Sequence, residues 1–299
     1  MRKVPVIKAD NPITQEDHDV FDRAKAAKSF ADQILSLDAS EGAVVGVLGP
    51  WGSGKTSFIN LMRPVVKANL IEILDFNPWM FSGTEQLVSS FFTEIAIQAK
   101  CSNKLKELGD SFSKYGQFFS NMTWIPVVGI WLAPAKYIGN FFKCIFNSKK
   151  TSVFHEKQRI FRRLKQLEQT VIVVVDDIDR LSTKEVSEVF KLVRLTASFP
   201  NIIYLLAFDR HRVEASLTEQ HFPGRDYLEK IVQLWIDLPA IPENLLSKQI
   251  FAELDRVLLD IEYSPPLDKD EWSGVFHEIV KPLIRSMRDL KRYVASLYG

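Results

Sequence analysis

A doubly wound α/β architecture, a parallel sheet flanked by helices, is the fold class that this 299-residue sequence predicts. Three observations predict it. Short apolar runs at 43–48, 171–175 and 201–208 are each followed by a glycine or an aspartate. The run Val171-Ile172-Val173-Val174-Val175 consists of five β-branched residues, which suits a strand buried on both faces of a parallel sheet. Stretches of helical period separate the runs, as connections between parallel strands require.

Taken in order, Ala43 to Leu48 is the first strand, and Phe58-Ile59-Asn60-Leu61-Met62 opens a helix behind it. Leu70 to Phe76 is a second strand. After the third, at 171–175, Lys184 to Ser198 carries Val186, Val189, Phe190, Val193 and Ala197 at spacings of three and four and stops before Pro200, which is the pattern of an amphipathic helix. Asn201 to Phe208 and Val232 to Leu238 complete a count of five strands.

Composition narrows the function classes. The chain has 38 basic and 37 acidic residues, so no global charge draws it to nucleic acid, and no specific nucleic-acid signal is expected. Two cysteines, Cys101 and Cys144, lack any pairing or metal-ligand spacing, which fits a reducing compartment without zinc or disulfides. Met1 to Asp10 has no apolar core, so the expected address is the cytoplasm.

The chemistry starts directly behind the first strand, at Gly49-Pro50-Trp51-Gly52-Ser53-Gly54-Lys55-Thr56-Ser57. This is a complete G-x-x-x-x-G-K-[ST] phosphate loop in the strand-to-helix context that confirms it. Backbone N–H groups and the positive end of the helix dipole converge there on one point, where a di- or triphosphate fits. Gly49 and Gly54 let the backbone curl, Lys55 reaches the β- and γ-oxygens, and the Thr56 hydroxyl can ligate Mg²⁺.

Asp176-Asp177-Ile178-Asp179-Arg180 follows the third strand, where open α/β sheets bind ligands. Asp176 is placed to hold Mg²⁺, and Asp177 to orient or deprotonate an attacking water. Asp209 closes the fourth strand. It either bonds the γ-phosphate side or the attacking water, or caps a helix from Arg210 to Leu217.

Several ordered motifs then carry a resemblance. The phosphate loop with its internal tryptophan, Phe76-Asn77-Pro78-Trp79-Met80-Phe81-Ser82, the acids at 176–179, Ala207-Phe208-Asp209-Arg210, Tyr227 to Gln233, and Met287-Arg288-Asp289-Leu290-Lys291-Arg292 are all present. Together they resemble the KAP family of P-loop NTPases, relatives of the STAND and AAA+ ATPases. The resemblance implies ATP binding and hydrolysis with Mg²⁺, residues 1–240 as the NTPase core, and 241–299 as a helical lid. It further implies that one of Arg288, Lys291 and Arg292 senses the γ-phosphate from the lid, with Arg288 the first candidate and a solvated basic helix end the alternative. Lys230 stands where AAA+ relatives place a trans-acting arginine, with Arg225 and Arg210 nearby, and a lysine cannot fork onto phosphate. Asp22-Arg23 and the helical pattern through Phe30 and Leu35 resemble the stretch that wraps adenine, with Phe21 or Phe30 as stacking rings and an ordinary packed helix as the alternative.

A hydrophobic insert at about 103–150 interrupts this core. Tyr115 to Ala135 carries no charge and includes Trp124 and Trp131. A single membrane crossing there would divide one sheet across the bilayer, and two would need about forty apolar residues. A membrane-dipping hairpin, an interfacial helix, a protein-docking face at 115–146 or internal packing remain, and the basic residues from Lys143 to Lys165 suit an anionic leaflet or belong to an ordinary charged helix, Phe154 to Leu167, facing solvent. The expected function is an Mg-ATP-hydrolysing switch, a homo-oligomer or one with a protein partner, at the inner membrane face or free in the cytoplasm. The alternative is a slowly hydrolysing nucleotide-binding scaffold that recruits a partner through the insert.

Overall fold

The computed structural model describes residues 10–83, 87–120, 150–167, 169–220, 223–259 and 268–297. Its sheet is five-stranded and parallel. The strands are β1 (Ala43–Leu48), β2 (Glu72–Phe76), β3 (Val171–Val175), β4 (Ile202–Phe208) and β5 (Leu234–Asp237), in the spatial order β2-β3-β4-β1-β5. Each residue of β1, β3 and β4 is buried, whereas the edge strand β2 exposes Asp75. That is the burial contrast expected between central and edge strands. Register pairs Glu72 with Val171 and Phe76 with Val175, then Val171 with Ile202 and Val175 with Leu206.

β1 and β3 have the limits that the sequence predicts. β2 begins two residues later than the apolar run, because Leu70 sits at φ 60° and its N–H closes a turn on Lys67 O at 2.9 Å. Asn201, at φ 59°, likewise precedes β4, in a conformation that asparagine tolerates better than most residues. The helix after the acidic turn, Thr183–Thr196, starts at a capping box in which Ser182 and Glu185 bond each other reciprocally, which satisfies two of the orphan amides at its start.

The expected insert is corrected at its amino-terminal end. Helix Lys106–Ser120 buries Leu108, Phe112 and Tyr115, and packs on helix Leu87–Cys101. The Phe92 and Tyr115 rings meet edge to face at 4.9 Å. Gly116 makes that approach possible, since a Cβ there would lie 2.8 Å from Phe92 Cβ. Burial pushes the Tyr115 hydroxyl up to about 12. The basic helix Lys150–Lys165 does not simply face solvent either, because Ile160 and Leu164 are fully buried and Arg163 pairs with Glu107 at 3.4 Å. Residues 121–149, most of the predicted docking or membrane face, lie outside the described residues. No helix among the described residues is long and apolar enough to cross a membrane.

Two compact units are present. One comprises Met1–Leu35, Leu48–Val66 and Asp237–Gly299, and the other Ser36–Val47 and Lys67–Ile236. The segment expected as a lid is helical, with helices Glu243–Leu259, Lys269–Val275 and Met287–Leu297. Its own core joins Ile250, Leu254, Phe276, Val280, Ile284 and Leu290.

Candidate functional site: a phosphate loop and an acidic turn

The phosphate loop leaves β1 and runs into helix Lys55–Ala68. Gly52 and Gly54 take φ 84° and 91°, a region that L side chains enter only with strain. Gly49 has a different reason to lack a Cβ, which would lie 2.6 Å from Ser53 Oγ and 3.3 Å from Leu238 Cβ. Ser53 N–H closes the turn on Pro50 O at 3.1 Å, and Phe58 N–H bonds Gly54 O at 2.9 Å to begin the helix. Lys55 is only 7% exposed, and its ammonium donates to the carbonyls of Gly49 at 3.0 Å and Pro50 at 3.3 Å. The loop therefore holds a cation inside its own curl. Thr56 and Ser57 are half-buried, and Ser57 Oγ accepts from Ile13 N–H at 3.2 Å.

Residues of helix Met287–Leu297, in the same unit, dress the outer side of this loop. The half-exposed Trp51 indole faces the Arg288 guanidinium at 4.6 Å and that of Arg292 at 5.6 Å, cation–π contacts worth about 0.5–1 kcal/mol each at such exposure. Arg288 Nε also donates to Asp10 at 2.5 Å, and Lys291 pairs with the other Asp10 oxygen at 3.6 Å. The tryptophan within the phosphate loop is thus where helix Met287–Leu297 rests. Phe30 is buried at 5.7 Å from Phe58, so the packed-helix reading applies to it and not the stacking one.

In the other unit, Asp177 occupies the left-handed region at φ 59°, ψ 26°. Such a residue typically costs 1–3 kcal/mol and persists where its surroundings hold it, often at functional sites. Here three groups hold it. Asp176 Oδ1 accepts from Asp177 N–H at 2.7 Å, Asn77 Nδ2 donates to Asp177 Oδ2 at 2.8 Å, and Arg180 Nε pairs with Asp177 Oδ1 at 2.6 Å. The Arg180 guanidinium in turn lies 5.0 Å over the Trp79 ring, and Trp79 N–H donates to Asn77 Oδ1 at 3.0 Å. The Asn-Pro-Trp segment and the acidic turn thus form one closed ring of contacts around a single carboxylate.

A second clamp steadies the same segment. Glu185 Oε1 accepts from Ser82 Oγ at 2.9 Å and Gly83 N–H at 2.6 Å, while Oε2 accepts from Ser182 N–H at 2.9 Å and Ser182 Oγ at 2.7 Å. Burial alone would raise its pKa, but these four donors outweigh burial and hold it down to about 2. Asn77, Trp79, Arg180 and Glu185 were not singled out from sequence as site residues. The only signal was the Asn-Pro-Trp segment itself, whose role needs a contact across a hundred residues.

Of the two readings of Asp209, the cap is the one whose bonds are present: Oδ1 accepts from His211 N–H at 3.0 Å and Arg212 N–H at 3.3 Å. Arg210 pairs with Glu214 at 2.8 Å, and Arg225 with Glu229 at 2.9 Å. Lys230 is exposed at the carboxyl end of helix Gly224–Glu229.

Comparison with known proteins decides the family. The family model described as the KAP family P-loop domain matches residues 23–298. The chain belongs to the KAP family of P-loop NTPases. It is 28% identical over 294 residues to the phage T7 exclusion protein of Escherichia coli strain K12, an alignment covering 86% of this chain and 38% of that protein. Among solved structures, the Aeropyrum pernix ORC1 protein in complex with DNA matches 92% of this chain and 59% of its own, at 12% identity and TM-score 0.43. The Aeropyrum pernix ORC2 protein, in ADPNP and ADP complexes, matches 97% and 64% at 14% identity and TM-score 0.41. These are distant likenesses, and the family assignment does not depend on them.

Proposed function

We propose that this KAP domain binds Mg-ATP through residues 49–57 and hydrolyses it, using Asp177 as the group that orients or deprotonates water. The observation that carries the reading is Lys55, a buried cation curled onto the carbonyls of its own phosphate loop. A loop of positive-φ glycines with a cation inside it suits a polyphosphate and little else. Thr56 and Asp176 are the residues to hold Mg²⁺. Two protein ligands are enough for an ion that keeps waters and substrate oxygens, so the lack of any larger acidic or histidine cluster among the described residues is compatible with it. When bound, the ion would neutralise charge developing on the phosphate oxygens.

The ring around Asp177 favours hydrolysis over a passive scaffold, because backbone strain and three side chains serve to aim one carboxylate. Arg288 is retained as the lid cation for the γ-phosphate, which requires it to leave Asp10. The role of Asp209 at the γ-phosphate rests on its position alone. Calorimetry with ATP, and phosphate release with and without Mg²⁺, test the proposal: binding in the micromolar range and Mg²⁺-dependent release are expected, and no binding overturns it.

A switch that assembles or signals through residues 121–146 fits the apolar sequence there, which carries no charge from Asn121 to Ala135, at a membrane face or on a partner protein. Replacing those residues with a short Gly/Ser linker should leave ATP binding intact and remove liposome sedimentation or self-association. Residues 115–120 stay in place, because that helix carries the buried Tyr115. The exclusion of phage T7 is named for a protein of which this chain covers 38%. Plating efficiency of that phage on cells with and without the chain tests whether it carries over.

A further inference from the structure

Arg23 stands just before helix Ala24–Leu35, at a turn that the sequence marks only by Asp22-Arg23. Asp22 takes φ 52° there. Asp19 braces the turn, accepting from Phe21 N–H at 3.3 Å and from Ala24 N–H at 2.7 Å. The turn carries the Arg23 side chain inward, and the residue is 8% exposed.

Its guanidinium meets two backbone carbonyls from distant parts of the same unit. One nitrogen donates to Ser53 O, in the phosphate loop, at 2.6 Å, and another donates to Pro239 O, just past β5. The planar fork of arginine suits two acceptors at fixed angles, whereas an ammonium offers a single point charge. Gly54 is part of this arrangement, because a Cβ there would lie 3.2 Å from the nearer guanidinium nitrogen. Leu238 N–H also bonds Leu48 O at 2.7 Å, so the chain passing Pro239 is itself tied to the end of β1.

The arrangement has a cost. Burial works against the charge on Arg23, and Asp19 works in its favour. Arg23 Nε and Ser53 Oγ are both buried without a hydrogen-bond partner, although buried polar groups are nearly always satisfied. An arginine kept under those conditions is kept for the two carbonyls it holds.

We propose that Arg23 is a positioning residue that fixes the curl of the phosphate loop by tying Ser53 to Pro239, at the root of the lid segment. It acts on nucleotide through Ser53 and Gly54 and need not touch the nucleotide itself. The expected consequence for affinity rests on the nucleotide-binding reading above. The consequence for the loop does not.

The test uses the full chain, with Arg23→Ala and Arg23→Lys beside wild type. Hydrogen exchange without nucleotide should rise tenfold or more at amides 52–55 in both variants, and stay unchanged along helices Glu243–Leu259 and Met287–Leu297. ATP affinity by calorimetry should fall tenfold or more in both variants. Millimolar guanidinium should restore part of the affinity of Arg23→Ala, because it supplies the missing fork, and none to Arg23→Lys. Unchanged exchange at 52–55, a uniform rise over the whole chain, or full affinity in Arg23→Lys would each overturn the proposal. Should Arg23→Ala fail to fold, Arg23→Lys carries the same exchange and affinity tests. If wild type binds no nucleotide, the NTPase reading falls while the exchange result still decides the role of Arg23.

Discussion

The phosphate loop and the acidic turn achieve rigidity by opposite means. In the loop, backbone conformation comes first: Gly52 and Gly54 at positive φ, and a lysine folded onto two carbonyls within six residues of it. The acidic turn instead depends on side chains brought together from residues 77–79 and 176–180. The first is a local device, which suits the generic polyphosphate of the proposed function. The second is a long-range one that orients a single carboxylate, which suits a group whose angle to a water matters. Binding should therefore break on loop substitutions, and turnover on ring substitutions.

The largest expected effect is on the loop side. Lys55→Ala should weaken ATP binding about a hundredfold, the scale of losing charge-assisted hydrogen bonds to phosphate. Calorimetry reads it directly, and equal affinity would remove the loop from the site. On the ring side, Asn77→Ala should leave affinity within twofold and slow phosphate release about tenfold, since small misplacements of a reacting group cost that much or more. A parallel loss of affinity would show that the two regions do not divide the work.

A smaller effect sharpens the comparison through stability. Glu185 has its folded pKa depressed from 4.5 to about 2, so its stabilising contribution is present above the unfolded value and lost as pH falls toward the folded one. Glu185→Gln should lower stability by about 1–3 kcal/mol at pH 7. The gap between variant and wild type should shrink between about pH 5 and about pH 2. Thermal melts across that range check it, and a constant gap would mean that the carboxylate charge is not what holds Ser82, Gly83 and Ser182.

How much of this was legible follows from the same contrast. β1 and β3 match the predicted runs residue for residue, because unbroken apolar stretches followed by glycine or aspartate carry their own limits. Lys55 and Gly54 were readable because the pattern is contiguous, whereas the left-handed turn at Gly52 falls on a position the pattern leaves open, and Gly49, expected to curl the backbone, instead lacks a Cβ because Ser53 Oγ leaves it no room. Asn77 and Arg180 were not, because a ring closed across a hundred residues leaves no periodicity to read. Arg23 was visible only as part of a resemblance, since its work is done on carbonyls that any residue could supply. For the helix at 106–120 the sequence leaves internal packing open beside an exposed face, because an apolar run packed beneath a neighbouring helix has the same composition as one facing a membrane or a partner. Gly109 and Gly116, where an added Cβ would lie 2.8 Å from the neighbouring helix, were the clue.

The division of labour between loop and ring is tested most directly by measuring ATP affinity and phosphate release on the same preparation of Asp177→Asn. The account predicts affinity equal to wild type with release slowed about a hundredfold or more, the usual consequence of losing a base or water-orienting carboxylate. Wild-type release from that variant, or lost affinity with unchanged release per bound nucleotide, would contradict it.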